Sequence, residues 1–341
     1  MNNKTYHNKK KSITSLDVAK LAGVSQSTVS RVFNRNWTGN IQKDIREKVL
    51  KASKELGYTP NAIAQILNSK RSGIIGVVVS KEYDAFYYEV LNKLVNIINS
   101  KGLHTMIFTC EPLGNINDVI DSMVSYQVDG VIITSSAISH QVNCEINDFS
   151  MPIVLLNGYV SGLDISAVHS DNYGACIMMA DYLVETGHKS FAYISTDKSK
   201  YLNYLPRQEA FLYGLSRHGI NDCKICPASY SYESGVEAAS HLITEKGYPD
   251  AIFCACDKPA LGAIDFAKDF GLKVGSDISI TGFYAPVGVD LPAYSLTCLK
   301  QDIQGLADDA VNLLIAKIED PSINSKIITR PMKLEIGSSS R

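Results

Sequence analysis

Residues 16–34, LDVAKLAGVSQSTVSRVFN, leave the backbone few options. Leu16, Val18, Ala19 and Ala22 give a first short helix one apolar face. Gly23 falls where a helix C-terminus calls for positive φ, which a residue without a Cβ adopts freely. Ser25 suits the N-cap of a second helix, because its hydroxyl can accept from an amide that the helix leaves unbonded. Val24, Val29, Val32 and Phe33 then turn back toward the first helix. Gln26, Ser27, Ser30 and Arg31 are left pointing outward. A short helix with amide, hydroxyl and guanidinium groups on its outer face can hydrogen-bond base edges in a DNA major groove.

The charge distribution agrees. Net charge is only −2, but residues 1–71 hold 14 Lys and Arg against 4 Asp and Glu, and the remainder holds 19 against 31. A basic head on an acidic body directs a polyanion to the head alone. No run reaches the roughly 18 apolar residues of a membrane span. The polar start MNNKTYHNKKKS lacks the apolar core of a secretory signal. Eight cysteines scattered over 341 residues read as reduced thiols, not a disulfide framework. The expected location is therefore cytoplasmic. Cys223 and Cys226 form one C-x-x-C with no second pair or histidines at ligand spacing, so no metal is expected. Cys254 and Cys256 alternate along an apolar run and read as buried small residues of a strand.

Residues 42–56 repeat apolar side chains at Ile45, Val49, Ala52 and Leu56, a helical stripe that Gly57 ends. After Tyr58-Thr59-Pro60, Asn61 can cap a short helix at 62–67, followed by the polar linker NSKRSG. From Ile74 the pattern changes to strands alternating with helices. Strands are expected at 74–79, 105–108, 131–134, 153–156, 191–194, 251–254 and 278–281. Helices are expected at 86–99, 119–125, 175–185, 208–217, 235–244, 260–270 and 303–318. Continuous apolar strands between amphipathic helices predict two doubly wound parallel sheets. Ligands bind such folds in the crevice at the carboxyl ends of the strands.

Further strings appear in order: ELGYTPNAIAQIL, GVVV, DGVIITSS, SDNYGA, DAIF, DKPALGAIDFAKDFGLKVGSDISITGF and LTCLKQD. With the first stretch they resemble the lactose-repressor (LacI/GalR) family of bacterial transcription regulators, over essentially the whole chain. The resemblance implies an all-α helix-turn-helix head at 1–60 and a hinge helix with linker at 61–72. It implies a periplasmic-binding-protein-like α/β body in two subdomains, 73–169 with 302–328 and 170–301 with 329–341. It further implies a homodimer, paired through the helix at 86–99, that binds an inverted-repeat operator. Gln26, Ser27 and Arg31 would read bases. Ser25, Thr28, Ser30 and Asn34 would hold phosphates or cap backbone. Asn61, Ala64 and Leu67 would lie at the hinge, with Leu67 wedged into the minor groove.

On the same resemblance, Phe86, Ser135, Ser136, Asn172, Arg207 and Asp257 match positions of an effector cleft. The chain departs from the family at three places there. Asn157-Gly158 stands where Asp-Arg is frequent, Cys256-Asp257 where Asn-Asp is frequent, and Gly282-Phe283-Tyr284 where Gly-Phe-Asp is frequent. Asn157, Cys256 and Tyr284 thus replace groups that usually grip sugar hydroxyls. Arg207, with Lys198 and Lys200 before it, suits a carboxylate or phosphate. A surface ion pair for Arg207 and an ordinary sugar held by other groups is the competing reading. The effector class is therefore a sugar, a sugar phosphate or another anionic metabolite. The implied function is a ligand-responsive repressor of a carbohydrate or related operon, acting by allostery. No catalytic residue, cofactor or metal is expected, since phosphate-loop, dinucleotide and nucleophile-elbow motifs are missing from the sequence. His188, in ETGHKS, reads as structural. The alternative is a solute-binding protein sharing the two-sheet cleft, against which the basic head argues.

Overall fold

A computed structural model describes residues 13–33, 39–58, 71–81, 85–111, 116–137, 151–160, 162–196, 205–244, 247–283 and 293–341, with only the backbone of residues 117, 136, 205 and 206. It divides into two compact units, Met1–Ser72 and Gly73–Arg341.

The first unit contains α1 (Ser15–Ala22), α2 (Gln26–Phe33) and α3 (Lys43–Leu56). Thr14 and Asp17 make a reciprocal cap at the start of α1, the Asp17 carboxylate accepting from Thr14 N (2.9 Å) and Thr14 Oγ1 (2.7 Å). Gly23 and Gly57 end α1 and α3 at φ 67° and 64°, the left-handed conformation expected of them. Val18, Ala19, Val29, Val32, Val49 and Ala52 form the core, flanked by half-buried Val24, Phe33 and Tyr58. Leu16 is exposed instead of joining the apolar face of α1. A core of this size stabilises only marginally, so the caps contribute a sizeable share, about 1 kcal/mol each.

The second unit contains two six-stranded sheets wound alike. The first is built from β1 (Ile74–Ser80), α4 (Ala85–Ser100), β2 (His104–Cys110), α5 (Ile116–Ser125), β3 (Gly130–Thr134), β4 (Ile153–Leu156) and β5 (Ser166–Ser170). The second is built from α6 (Asn172–Glu185), β6 (Phe191–Ser195), α7 (Leu205–Arg217), β7 (Cys223–Pro227), α8 (Tyr232–Thr244), β8 (Ala251–Cys254), α9 (Asp257–Asp269), β9 (Ser279–Phe283) and β10 (Thr297–Lys300). The chain then returns with α10 (Ile303–Glu319) and β11 (Ile327–Arg330) to the first sheet and ends with β12 (Lys333–Glu335) in the second. Strand orders are β11-β5-β4-β3-β1-β2 and β12-β10-β9-β8-β6-β7. The central strands are buried on both faces, which is why they read as unbroken apolar runs.

Among the described residues every strand pair is parallel except β10–β12, which is antiparallel, so the second sheet is mixed at one edge. The sequence pattern omits β5, β7, β10, β11 and β12. These are short, and β7, β11 and β12 are edge strands with half-exposed residues and no apolar run. β11 pairs with β5 through Arg330↔Ser170, so both residues lie in the first sheet. Cys256 lies past the end of β8, at the N-cap of α9, and is not a strand residue.

The chain passes between the sheets three times: after β5, after β10 and after β11. The first two passages are built alike. Asp171 accepts from Gly174 N (2.8 Å) and Asp302 accepts from Gly305 N (2.9 Å), capping α6 and α10. A Cβ on either glycine would lie 2.3 or 2.2 Å from the capping carboxylate, so a side chain there would push the carboxylate out of its present position.

Candidate nucleic-acid interface and effector cleft

On α2, Val29 and Val32 are buried while Gln26, Ser27, Ser30 and Arg31 are exposed, as the spacing predicts. Ser25 Oγ accepts from Thr28 N (3.1 Å) and lies 2.8 Å from both Ser27 Oγ and Thr28 Oγ1. Ser25 and Thr28 thus form the cap at the start of α2. Gln26 Nε2 donates to Ser15 Oγ (2.9 Å), which ties the outer face of α2 to the start of α1. Asn34, Asn61, Ala64 and Leu67 lie outside the described residues.

In the body, the residues matched to the effector cleft lie at or just past the C-terminal ends of strands, or at the starts of the helices that follow them. The first sheet contributes Ser135, just past β3, and Asn157, just past β4. Asn157 is buried with φ 61°, a left-handed conformation that Asn tolerates better than most residues. Ser135 is hydrogen-bonded to the Tyr87 hydroxyl from α4. Phe86 itself packs within the first subdomain's core, edge-on to Tyr87 at 5.1 Å. The side chain of Ser136 and all of Lys198, Lys200 and Tyr284 lie outside the described residues.

The second sheet contributes the charged groups. Arg207, in the first turn of α7, is 4% exposed. Its Nε donates to Asn172 Oδ1 (2.8 Å) and its Nη1 to the Ala255 carbonyl (2.6 Å). Its guanidinium carbon sits 3.6 Å above the centre of the Phe283 ring. That ring stacks on Phe253 at 5.7 Å, and Phe253 meets Tyr193 and Phe211 at 5.5 and 4.9 Å. A desolvated cation over an aromatic face gains about 2 kcal/mol. Arg207 is therefore a fixed, buried cation on an aromatic bed, not a surface ion-pair partner. It also acts on its surroundings. Burial raises the Cys176 thiol to about 12, and the nearby guanidinium pulls against that rise.

Asp257, buried in the first turn of α9, accepts from the Tyr230 hydroxyl (2.9 Å). The Lys258 ammonium lies 4.9 Å over the Tyr230 ring. A carboxylate at a helix N-terminus is favoured by the helix dipole. Cys256 is buried beside it. The sequence pattern does not single out Tyr87, Tyr230 or Thr196. Tyr230 is signalled only as an aromatic within the polar stretch SYSYES. Thr196, just past β6, carries a buried hydroxyl with no hydrogen-bond partner among the described residues.

Cys223 and Cys226 are three apart on one strand, so they point to opposite faces, and both are free thiols. Among the described residues no group of three or more His, Cys, Asp or Glu could hold a metal ion, and no helix is long and apolar enough to cross a membrane.

Residues 14–61 match the model of bacterial regulatory proteins, lacI family, and residues 180–340 match the periplasmic binding protein-like domain. The chain is 30% identical over 332 residues to catabolite control protein A of Priestia megaterium, covering 96% of this chain and 99% of that one. It is 31% identical to catabolite control protein A of Staphylococcus xylosus, covering 95% and 98%. The lac repressor dimer bound to operator and the anti-inducer ONPF superposes with a TM-score of 0.84 at 25% identity, over 97% of this chain and 100% of that one. The chain belongs to the lacI family of bacterial regulatory proteins, DNA-binding regulators of transcription.

Proposed function

We propose that this regulator is a repressor that binds an inverted-repeat operator as a homodimer and responds to a small polar effector in the body cleft. The observation that carries the DNA reading is α2, whose Gln26, Ser27, Ser30 and Arg31 are exposed on a helix anchored by Val29 and Val32. Arg31 and Gln26 are the base readers, since a guanidinium matches guanine and an amide matches adenine in two-bond geometry. Ser30 contacts phosphate. Ser25 and Thr28 present α2 at the right angle through their local cap. Similarity to the lac repressor, solved on its operator, supports the same docking.

Pairing of two copies is supported by α4 and its neighbours. Beyond the buried face of Phe86, Val90, Leu94 and Ile98, α4 carries Tyr88, Leu91 and Val95 at helical spacing, exposed or half-buried. Exposed Ile107 and Tyr126 lie on or just past neighbouring elements. An apolar surface this wide is what a self-complementary dimer contact covers. The protein acts in the cytoplasm, at the DNA, and performs no catalysis. The effector is a sugar phosphate or other anionic metabolite, held by Arg207 with Asn157, Asp257 and Tyr230 around it.

The test is selection of genomic fragments from the source organism by the purified full-length protein, followed by sequencing, with and without a hexose or hexose phosphate. A shared inverted repeat, released by the hexose phosphate and not by the hexose, is the expected result, and release by the hexose alone would overturn the anionic reading. Capture of fragments without a shared repeat would refute sequence-specific binding.

A further inference from the structure

Four buried residues are linked by hydrogen bonds from the cleft to the crossovers, the link passing through the main chain of Ser170, whose carbonyl takes one bond and whose hydroxyl gives the next. Arg207 Nε donates to Asn172 Oδ1 (2.8 Å), Asn172 Nδ2 donates to the Ser170 carbonyl (3.2 Å), and Ser170 Oγ donates to Gln301 Oε1 (2.7 Å). Arg207, Asn172, Ser170 and Gln301 are 4, 8, 1 and 9% exposed. The direction of the series is forced. Arginine only donates and a carbonyl only accepts, which settles the orientation of the Asn172 amide between them. Both ends of that amide are thereby used.

The far end of the series touches all three passages between the sheets. Ser170 closes β5 and leads into the first. Gln301 lies in the second, and its carbonyl accepts from Ile303 N (3.0 Å) at the start of α10. The next residue after Ser170, Asp171, donates its N–H to the Arg330 carbonyl (2.7 Å) at the third. The Arg330 side chain in turn bonds Asp309 (2.6 Å) and approaches Asp302 (3.4 Å), the cap of α10. These bonds fix the main chain of Ser170 from both sides, and loosening one leaves a buried polar group unmet, at a cost that moves the backbone at the crossover.

We propose that Asn172, Ser170 and Gln301 are positioning residues that couple Arg207 to the crossovers, so that an anion drawing on Arg207 shifts the balance between arrangements of the two subdomains. The inference rests on reading the cleft as the effector site. A ligand works on such an equilibrium only through different affinity for its two states. A series that is intact in one arrangement and stretched in the other supplies that difference.

Amide hydrogen exchange on the full-length protein without ligand tests the coupling. The Asp171 and Ile303 amides report on the crossovers. The Val131 amide, bonded to the Pro152 carbonyl (2.9 Å), serves as the control. Asn172→Asp keeps an acceptor for Arg207 and removes the donor to Ser170, so it cuts the series without releasing the guanidinium. Ser170→Ala cuts the next bond. Each is expected to speed exchange at Asp171 and Ile303 by about tenfold and leave Val131 unchanged, with the double variant no faster than either single one. Ser170→Thr, which keeps the hydroxyl, restores the slow rate, and Gln301→Leu reports the same bond should Ser170→Ala fail to fold. Wild-type exchange in Asn172→Asp would mean that Asn172 only holds Arg207, and would overturn the coupling. Multiplying effects in the double variant would overturn it too. Because no ligand enters this experiment, failure of the effector reading would show separately, in the fragment selection with hexose phosphate.

Discussion

The two halves of the body share a winding and differ in what they enclose. The first is aliphatic: Ile75, Val77, Leu94, Ile98, Ile132, Val154 and Leu156 fill the space between sheet and helices. The second has one face of Tyr193, Phe211, Phe253 and Phe283 in mutual contact, with Arg207 lying on the last ring. At their C-terminal edges the first offers a hydroxyl and an amide, Ser135 and Asn157. The second offers a cation, a carboxylate and a tyrosine, Arg207, Asp257 and Tyr230. The difference teaches that the winding supplies the position of the site and the second core supplies its charge. A buried guanidinium needs a polarisable face and acceptors around it, and the aromatic half provides both at Arg207.

The largest effects should therefore appear on the aromatic side. Phe253→Ala removes the ring that touches Tyr193, Phe211 and Phe283, and should destabilise the body by about 4 kcal/mol. Ile132→Val in the first sheet should cost about 1 kcal/mol. Urea unfolding of the full-length protein measures both, and a loss of only about 1 kcal/mol for Phe253→Ala would show that the ring cluster is not tightly packed. Next comes Arg207→Met, which strands Asn172 Oδ1 and the Ala255 carbonyl without donors and should cost about 3 kcal/mol. Ser135→Ala, its counterpart across the cleft, should cost about 1 kcal/mol. Thermal unfolding checks the pair. An unchanged midpoint for Arg207→Met would place the guanidinium outside the fold's polar framework.

The same contrast explains how much of the molecule is legible in the sequence. The buried central strands announce themselves because both faces are covered, so Val and Ile fill 74–79 apart from Gly76, and fill 131–133. Edge strands such as β7, CKICP, and β12, KLE, carry no such signal, since half their residues face water. The head is legible because its information is local: Gly23, Ser25 and the apolar spacing all act within a few residues. The cleft is legible only in part. Arg207 and Asn172 are 35 positions apart, and Phe283 is 76 beyond Arg207, yet they form one unit. No local period connects them, so spacing could not foretell that Arg207 is buried or that Asn172 holds it. The resemblance to a family supplied the positions, and the packing supplied the roles.

Against the buried charge of the body stands the exposed charge of the head. Arg31 lies on the outer face of α2, so its removal should leave folding within about 0.5 kcal/mol of the parent. Binding should respond instead. Arg31→Ala should weaken operator binding by about 2 kcal/mol and relax preference at one base position in each half-site. Titration of the parent repeat and its single-base variants measures this. Equal loss on every sequence would show a phosphate contact in place of base reading.

The smallest effect expected is also confined to the second half, and it depends on pH. His188 is buried between α6 and β9. Its Nδ1 lies 2.8 Å from the Leu183 carbonyl and its Nε2 lies 2.8 Å from Ser279 Oγ. A carbonyl only accepts, so Nδ1 carries the hydrogen and Nε2 accepts from the serine, which satisfies the neutral ring completely. Burial pushes the His188 pKa below the ordinary 6.5. The unfolded chain then takes up a proton at a higher pH than the folded one, so stability is whole above about pH 6.5 and falls as pH drops below it. The first half has no buried histidine among its described residues, His104 being exposed and His169 half-buried. His188→Gln, which keeps a donor and an acceptor without a titrating ring, should flatten the loss of unfolding midpoint between pH 6.5 and 5. An unchanged slope would assign the acid sensitivity to carboxylates common to both halves, and His188 would then differ from its surroundings in packing alone.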